Sequence, residues 1–217
     1  MGICDVRSGG IELFNIDCME YMSTVPDKHF DLAIVDPPYG INVTDNKSGM
    51  GRRKGDAKAK YKIGDWDSAT PSGQYFDELF RVSKNQIVWG GNYFLPLWQS
   101  PCKGFFIWNK MFSDEVSFAQ VEFAWTSFDI TAKMFTKHPV EPGRIHPTQK
   151  PVELYKWILK TFALEGWTIF DSHLGSGSIA IACHDYKFEL TACEIDKDYY
   201  DAAVKRYSNH IAQTSLF

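Results

Sequence analysis

Cysteine is scarce in this chain: five in 217 residues, Cys4, Cys18, Cys102, Cys183 and Cys193, an odd set with no C-x-x-C pair and no histidine at ligand spacing from any of them. That excludes a disulfide scaffold and argues against a metal site, so the thiols read as free in a reducing compartment. Nor is there a run approaching the ~20 uninterrupted apolar residues that a bilayer-spanning helix needs. Met1 to Pro26 lacks the charged stretch followed by an apolar one that marks a leader. Met1-Gly2 is no myristoylation signal either, because Val6 stands where that signal wants Ser or Thr. The expectation is a soluble, cytoplasmic protein with no membrane attachment. At 44% apolar residues, a chain of this length buries roughly 70% of the surface its unfolded form exposes, enough for one globular domain without staples.

Net charge is small, 23 Lys and Arg against 27 Asp and Glu, but it is unevenly spread. Between Lys47 and Lys62 seven cations, Lys47, Arg52, Arg53, Lys54, Lys58, Lys60 and Lys62, stand against Asp56 alone. Gly49, Gly51, Gly55 and Gly64 punctuate the stretch and no apolar periodicity runs through it. It reads as a mobile basic loop over 41–65, either a solvated charged loop or a contact to a polyanion.

Elsewhere short apolar runs alternate with amphipathic segments, which means an α/β fold. Strands are predicted at Ile11 to Asn15, Leu32 to Val35, Gln86 to Trp89, Phe105 to Trp108, Glu122 to Trp125, Thr168 to Phe170 and Glu189 to Cys193. Helices are predicted at Tyr75 to Val82, Pro151 to Leu164, Ser178 to His184 and Asp198 to Ile211. Most of the tryptophans and phenylalanines fall in the strands and read as core.

Two constellations carry chemistry. In Phe170-Asp171-Ser172-His173-Leu174-Gly175-Ser176-Gly177-Ser178 a buried strand hands over to a helix through glycines that let backbone approach a ligand closely. Glu194 follows at the end of the next strand, where a carboxylate can accept from both hydroxyls of a ribose. Together they indicate a nucleoside cofactor, although Gly175-x-Gly177-x-x-Ala180 also fits the loose dinucleotide fingerprint of nicotinamide and flavin enzymes. The second constellation, Asp36-Pro37-Pro38-Tyr39-Gly40, closes the strand Leu32 to Val35. The carbonyls of Pro37 and Pro38 and the carboxylate of Asp36 are acceptors, and Tyr39 offers a flat face. That set suits an amino group on a planar heterocycle, whose N–H bonds point at the acceptors while the ring stacks on the tyrosine. An ordinary turn is the alternative.

Asp-Pro-Pro-Tyr beside Phe-Asp-x-x-x-Gly-Ser-Gly-Ser resembles the paired signature of S-adenosylmethionine-dependent amino-methyltransferases acting on DNA bases. The resemblance extends through Leu13 to Cys18, Pro26 to Asp31, Trp89-Gly90-Gly91-Asn92-Tyr93-Phe94 and Arg144-Ile145-His146-Pro147-Thr148-Gln149-Lys150-Pro151. With the acceptor motif first and the glycine loop late, the order is similar to the permuted β group of that family. It implies a Rossmann-like methyltransferase fold, a mostly parallel sheet with helices on both faces, with Ile34-Val35 and Ile169-Phe170 on neighbouring central strands. It further implies methyl transfer to adenine N6 in double-stranded DNA, cytosine N4 being the alternative and RNA, or a catalytically silent partner subunit, weaker ones. Asp36, Pro37, Pro38 and Tyr39 would hold a flipped base. Asp171, Gly175, Ser176 and Gly177 would line the methionine and sulfonium part of S-adenosylmethionine, Glu194 its ribose, Asp17 its adenine, and Thr148 and Lys150 its carboxylate. No metal is implied. Ser172-His173 stands where Pro-Phe is common in the family, and His173 reads as a loop histidine with its bonds satisfied. Arg52, Arg53, Lys54, Lys58 and Lys60 would contact DNA phosphates, and a homodimer is compatible with the family.

Finally, Gln213-Thr214-Ser215-Leu216-Phe217 follows a helix expected to end near Ile211 and carries two large apolar residues. It resembles the short peptide by which bacterial replication proteins dock on the sliding clamp, with Gln213, Leu216 and Phe217 as contacts. Folding back onto the domain core is the alternative.

Overall fold

The computed structural model describes residues 6–42, 67–99, 104–115, 119–140 and 143–214; the basic segment 47–62, Cys4, Cys102, Leu216 and Phe217 lie outside the described residues. In chain order the elements are β1 (Val6–Ser8), β2 (Ile11–Phe14), α1 (Cys18–Ser23), β3 (Phe30–Val35), α2 (Gly73–Val82), β4 (Ser83–Trp89), two 3-10 turns (Gly91–Tyr93 and Leu95–Trp98), β5 (Phe105–Asn109), β6 (Val121–Thr126), β7 (Lys133–Thr136), α3 (Val152–Phe162), β8 (Thr168–Asp171), α4 (Ser178–Tyr186), β9 (Glu189–Cys193) and α5 (Lys197–Thr214). The strands form one sheet in the order β1-β2-β9-β8-β3-β4-β6-β5-β7.

Five consecutive strands of that order, β2, β9, β8, β3 and β4, run parallel, whereas β6 is antiparallel to both β4 and β5, and β1 to β2. The predicted neighbours meet as expected, Leu32 opposite Ile169 and Ala33 opposite Phe170. Alternation along each strand splits the core into two layers. Leu32, Ile34, Ile87, Trp89 and Ile169 pack with α3, α4 and α5 on one face of the sheet. Ala33, Val35, Val88 and Phe170 pack with α1 and α2 on the other. A strand covered on both faces must be apolar at successive positions, which is why Leu32 to Val35 reads as a continuous run.

The helices follow the same logic. Tyr75, Phe76, Leu79 and Val82 make the buried stripe of α2, and Leu154, Tyr155, Ile158 and Leu159 that of α3. α4 is buried from Ser178 through Cys183 because α3 and α5 both lie against it. Pro151 stands at the N-cap of α3 and not in its first turn. α5 runs past Ile211 to Thr214, since Ala212 and Gln213 are good helix formers, and Gln213 is therefore helical. α1, β1 and β7 carry too few residues for a legible period. Among the described residues no helix is long and apolar enough to cross a membrane.

Candidate active site

Because β2, β9, β8, β3 and β4 are parallel, their carboxyl ends line one edge of the domain, where open α/β sheets bind ligands. The acceptor motif leaves β3, the glycine loop leaves β8, Asp17 follows β2 and Glu194 follows β9. Four segments far apart in sequence therefore converge by topology.

The Tyr39 hydroxyl donates to Asp36 Oδ1 at 2.6 Å, and the Lys150 ammonium donates to Asp36 Oδ2 at 2.5 Å. Lys150 also pairs with Glu122 Oε2 at 3.1 Å, and Glu122 Oε1 with Lys110 Nζ at 2.5 Å. Glu122 reaches the site because β6 is antiparallel to β4, so the start of β6 lies at the carboxyl end of β4. Lys110 arrives directly after β5. Burial raises the proton affinity of Asp36, against the opposing pull of Lys150. Burial also works against the charge on Lys150 and Glu122, yet the attraction of Asp36 and Glu122 keeps Lys150 above its ordinary value, and that of Lys150 and Lys110 keeps Glu122 below its own. The sequence reading set Lys150 at the cofactor carboxylate, whereas in the structure its ammonium is engaged with Asp36 and Glu122.

Asp67, which has no sequence signal, supports the motif, as do Gly90 and Tyr93 of the Trp89 to Phe94 run. Asp67 is buried and its Oδ1 accepts the backbone N–H groups of Tyr39 (2.7 Å) and Gly40 (2.9 Å), pinning the turn from beyond the basic segment. Gly90, with φ +68°, lies so close to the Tyr39 ring that a Cβ there would stand 2.1 Å from it. The Tyr93 ring stacks on Tyr39, centroids 5.0 Å apart and planes 13° from parallel. Glu122 did leave a trace, a lone acid in the otherwise apolar strand Val121-Glu122-Phe123-Ala124-Trp125.

The glycine loop is held from several sides. Glu194 Oε2 accepts the Gly175 N–H at 2.8 Å and Oε1 accepts the Asp196 N–H at 3.0 Å. Gly175 and Gly177 take φ of +52° and +71°, and only the His173 carbonyl lies within 4 Å of where a Gly175 Cβ would stand, so the space over the turn is open. Arg206 of α5 donates to the Ser176 carbonyl (2.9 Å) and to Ser178 Oγ (2.8 Å). Ser178 Oγ in turn donates to the Lys150 carbonyl at 2.7 Å, tying this loop to the His146 to Pro151 run. In that run Thr148 Oγ1 lies 3.1 Å from His146 Nδ1, and burial pushes His146 down to about 3. Asp17 Oδ1 accepts from Met19 and Glu20 N–H as the cap of α1, and Asn15 Nδ2 donates to the Glu194 carbonyl, so Asp17 and Glu194 adjoin.

Burial pushes the Asp171 carboxyl up to about 8, although the His173 N–H at 3.0 Å opposes it. His173 is a satisfied loop histidine: Nδ1 lies 2.8 Å from Ser172 Oγ, which in turn lies 2.7 Å from the Tyr75 hydroxyl, and burial brings it to about 4. Burial pushes the Cys18 thiol up to about 12 and raises those of Cys183 and Cys193, leaving all three protonated and poor nucleophiles at neutral pH. Among the described residues no three His, Cys, Asp or Glu side chains converge as a metal site. A cleft bordered by Glu12, His29, Thr168 and Glu189 lies at the opposite, amino ends of the strands.

Thus the Asp36 carboxylate and the Tyr39 ring, both held in place, leave the strand beside the one that carries the open glycine turn and its Glu194 partner. Residues 88–205 match the model of a family described as DNA methylase, of N6/N4 type. YubD of Escherichia coli (strain K12), a methylase by name, is 24% identical over 211 residues, covering 88% of this chain and 87% of its own. Among solved structures, the PvuII DNA methyltransferase, cytosine-N4-specific by name, has a TM-score of 0.63 at 12% identity, over 91% of this chain and 86% of that one. M1.HpyAVI in complex with SAM has a TM-score of 0.58 at 18% identity, over 90% of this chain and 98% of that one.

Proposed function

The chain belongs to the DNA methylase family, and from that premise we propose that it transfers the methyl group of S-adenosylmethionine to the exocyclic N6 of an adenine flipped out of double-stranded DNA. The observation that carries this reading is the pairing of β3 with β8, which sets the acceptors at Asp36 beside the glycine turn at Gly175 to Gly177. Structures related in fold include a SAM complex, and the residues here fit that group. The open turn at Gly175, the carboxylates of Glu194 and Asp17 and the buried Asp171 would hold its methionine, ribose and adenine parts, with Ser176, Gly177 and Thr148 alongside. When bound, S-adenosylmethionine supplies an electrophilic methyl on a sulfonium.

The protein's part is orientation. An exocyclic amine is a weak nucleophile because its lone pair is delocalised into the ring. Acceptors at Asp36 and the Pro37 and Pro38 carbonyls take up its N–H bonds, favouring a more tetrahedral nitrogen with its lone pair toward the methyl donor. Tyr39 stacks on the base and, through its hydroxyl, keeps Asp36 from rotating. The proton that the nitrogen sheds on methylation passes to solvent, with Asp36 serving as the hydrogen-bond acceptor that orients the amine. No covalent enzyme intermediate is needed, in keeping with the protonated cysteines.

Cytosine N4 presents the same donors, and a fold relative carries that specificity in its name. Digesting a methylated duplex to nucleosides and identifying the product by mass spectrometry tests the reading: N6-methyladenine is expected, and N4-methylcytosine overturns the adenine assignment. Arg52, Arg53, Lys54, Lys58 and Lys60 supply phosphate contacts, so alanine at Arg52, Arg53 and Lys54 should flatten the salt dependence of DNA binding. Gln213, Leu216 and Phe217 dock on a bacterial sliding clamp; deleting the last five residues should abolish clamp binding and spare turnover on naked oligonucleotides. A second copy of the chain, forming a homodimer, extends the DNA-contacting surface, which light scattering with and without DNA would test.

A further inference from the structure

Four titratable side chains from four segments form a continuous array, Lys110, Glu122, Lys150 and Asp36, with the Tyr39 hydroxyl at its inner end. The Lys150 side chain is 2% exposed and those of Lys110, Glu122 and Asp36 no more than 20%. Its ammonium also lies 5.2 Å from the Trp89 ring and 5.8 Å from the Tyr39 ring. Buried ion pairs of this kind are poor stabilisers, since desolvation offsets their attraction, and an apolar replacement often folds as well. The array therefore calls for a purpose other than stability, and its inner end is the acceptor on which the proposed reaction depends.

We propose that Lys150 is a positioning residue for Asp36: anchored by Glu122, and through it by Lys110, it fixes the Asp36 carboxylate in orientation and in its acceptor form. The inference rests on the amine-methylation reading and sharpens it. Desolvated and without Lys150, Asp36 would take up a proton and turn an O–H donor toward an amine that itself donates, the wrong polarity for holding it. The Lys150 charge opposes this, and with Tyr39 on Oδ1 and Lys150 on Oδ2 the carboxylate plane cannot turn, while each oxygen keeps a second lone pair for the substrate N–H. Glu122 supplies the counter-charge that makes a buried lysine tolerable there. The other titratable groups that bear on Asp36 are Tyr39, Tyr75 of α2, Tyr155 of α3 and Asp171 of β8. Burial holds the three tyrosines neutral, and Asp171 is largely protonated at pH 7, which leaves Lys150 and Glu122 as the charges that set its state.

Lys150→Met and Lys150→Arg test this with two readouts, cofactor affinity by calorimetry and the pH profile of single-turnover methylation on a duplex oligonucleotide. For Lys150→Met the expectation is S-adenosylmethionine affinity within about twofold of wild type, turnover down about 100-fold and an acid limb moved to higher pH. Lys150→Arg keeps the charge, so its acid limb should stay near that of wild type even where its rate falls, and it serves as the folded reference should Lys150→Met not fold. Cofactor affinity lost in both variants with an unmoved acid limb would assign Lys150 to the cofactor carboxylate and overturn the proposal, as would unchanged turnover or an Arg variant whose limb moves. A wild-type chain that binds S-adenosylmethionine but methylates no base would instead overturn the amine-methylation reading itself.

Discussion

The ring of Tyr93 covers a face of Tyr39, with 5.0 Å between centroids and 13° between planes. A base between two such rings would need them about 7 Å apart, so the stack must open for Tyr39 to receive one from that side. Tyr39 is pinned by Asp36 and Gly90, whereas Tyr93 is 45% exposed on a short 3-10 turn, so Tyr93 is the ring that gives way. An aromatic pair of this kind is worth roughly 0.5–1.5 kcal/mol. Tyr93→Ala should accordingly lower KM for DNA about two- to tenfold while leaving cofactor affinity unchanged. An unaltered KM in steady-state assays would mean that the base approaches Tyr39 elsewhere.

Gly90→Ala is expected to be far more damaging than its one methyl group suggests. The left-handed backbone costs an alanine about 1–2 kcal/mol, and the new Cβ would meet Tyr39 at 2.1 Å. Tyr39 must shift, which breaks its bond to Asp36, and a displacement of ~1 Å at a reacting centre can cost about 100-fold. Gly166 provides the control: its φ is +80° but nothing lies within 4 Å of a Cβ there, so Gly166→Ala should lose a little stability and no activity.

The contrast between these positions shows what a sequence can disclose. Asp36 to Gly40 and Asp171 to Ser178 were legible because each is a contiguous run whose residue types state its chemistry, and the strands leading into them are apolar enough to mark their ends. Lys110 and Asp67 are not, and Glu122 shows only as a lone acid and Tyr93 only as a member of the Trp89 to Phe94 run, because their roles depend on which strand lies beside which. The antiparallel entry of β6 is what brings Glu122 to the site, and no local pattern encodes it. Lys150 stands out in its run, but nothing local points to its partner, since Asp36 lies 114 residues earlier.

Asp171 should couple cofactor binding to protons. With its carboxyl pushed up to about 8, it is mostly neutral at pH 7, and a sulfonium cation nearby would lower that value and release a proton. Calorimetry at pH 7 in buffers of differing ionisation enthalpy should reveal that release, and affinity should rise as the pH is raised toward 8. In the free chain the sign is opposite for stability: the folded value lies above the ordinary 3.8, so the contribution of Asp171 is fully present below about pH 4 and lost as pH rises through about 8. Asp171→Asn should remove both dependences.

Arg206 lies on α5, yet its two bonds to Ser176 and Ser178 make it the clasp of the glycine loop. Hydrogen bonds from a charged donor contribute about 1.5–3 kcal/mol. Arg206→Ala should therefore weaken S-adenosylmethionine binding about tenfold or more. Equilibrium dialysis would check this, and an affinity equal to wild type would show that the loop keeps its shape unaided.

The strand order also governs how the protein is born. Asp31 of β3 bonds to Thr168 at the start of β8, 137 residues later, and Asn15 reaches Glu194 across 179 residues. A ribosome adding about 5–20 residues per second leaves β3 with one flank bare for roughly 7–27 s, and β2 without its parallel neighbour for longer still. During that interval the nascent chain carries an apolar strand edge open to its neighbours on the polysome, the kind of edge that chaperones cover. The glycine loop and its Glu194 partner emerge well over a hundred residues after the acceptor motif, so a chain interrupted between them has the acceptor motif but nothing to bring a methyl donor to it.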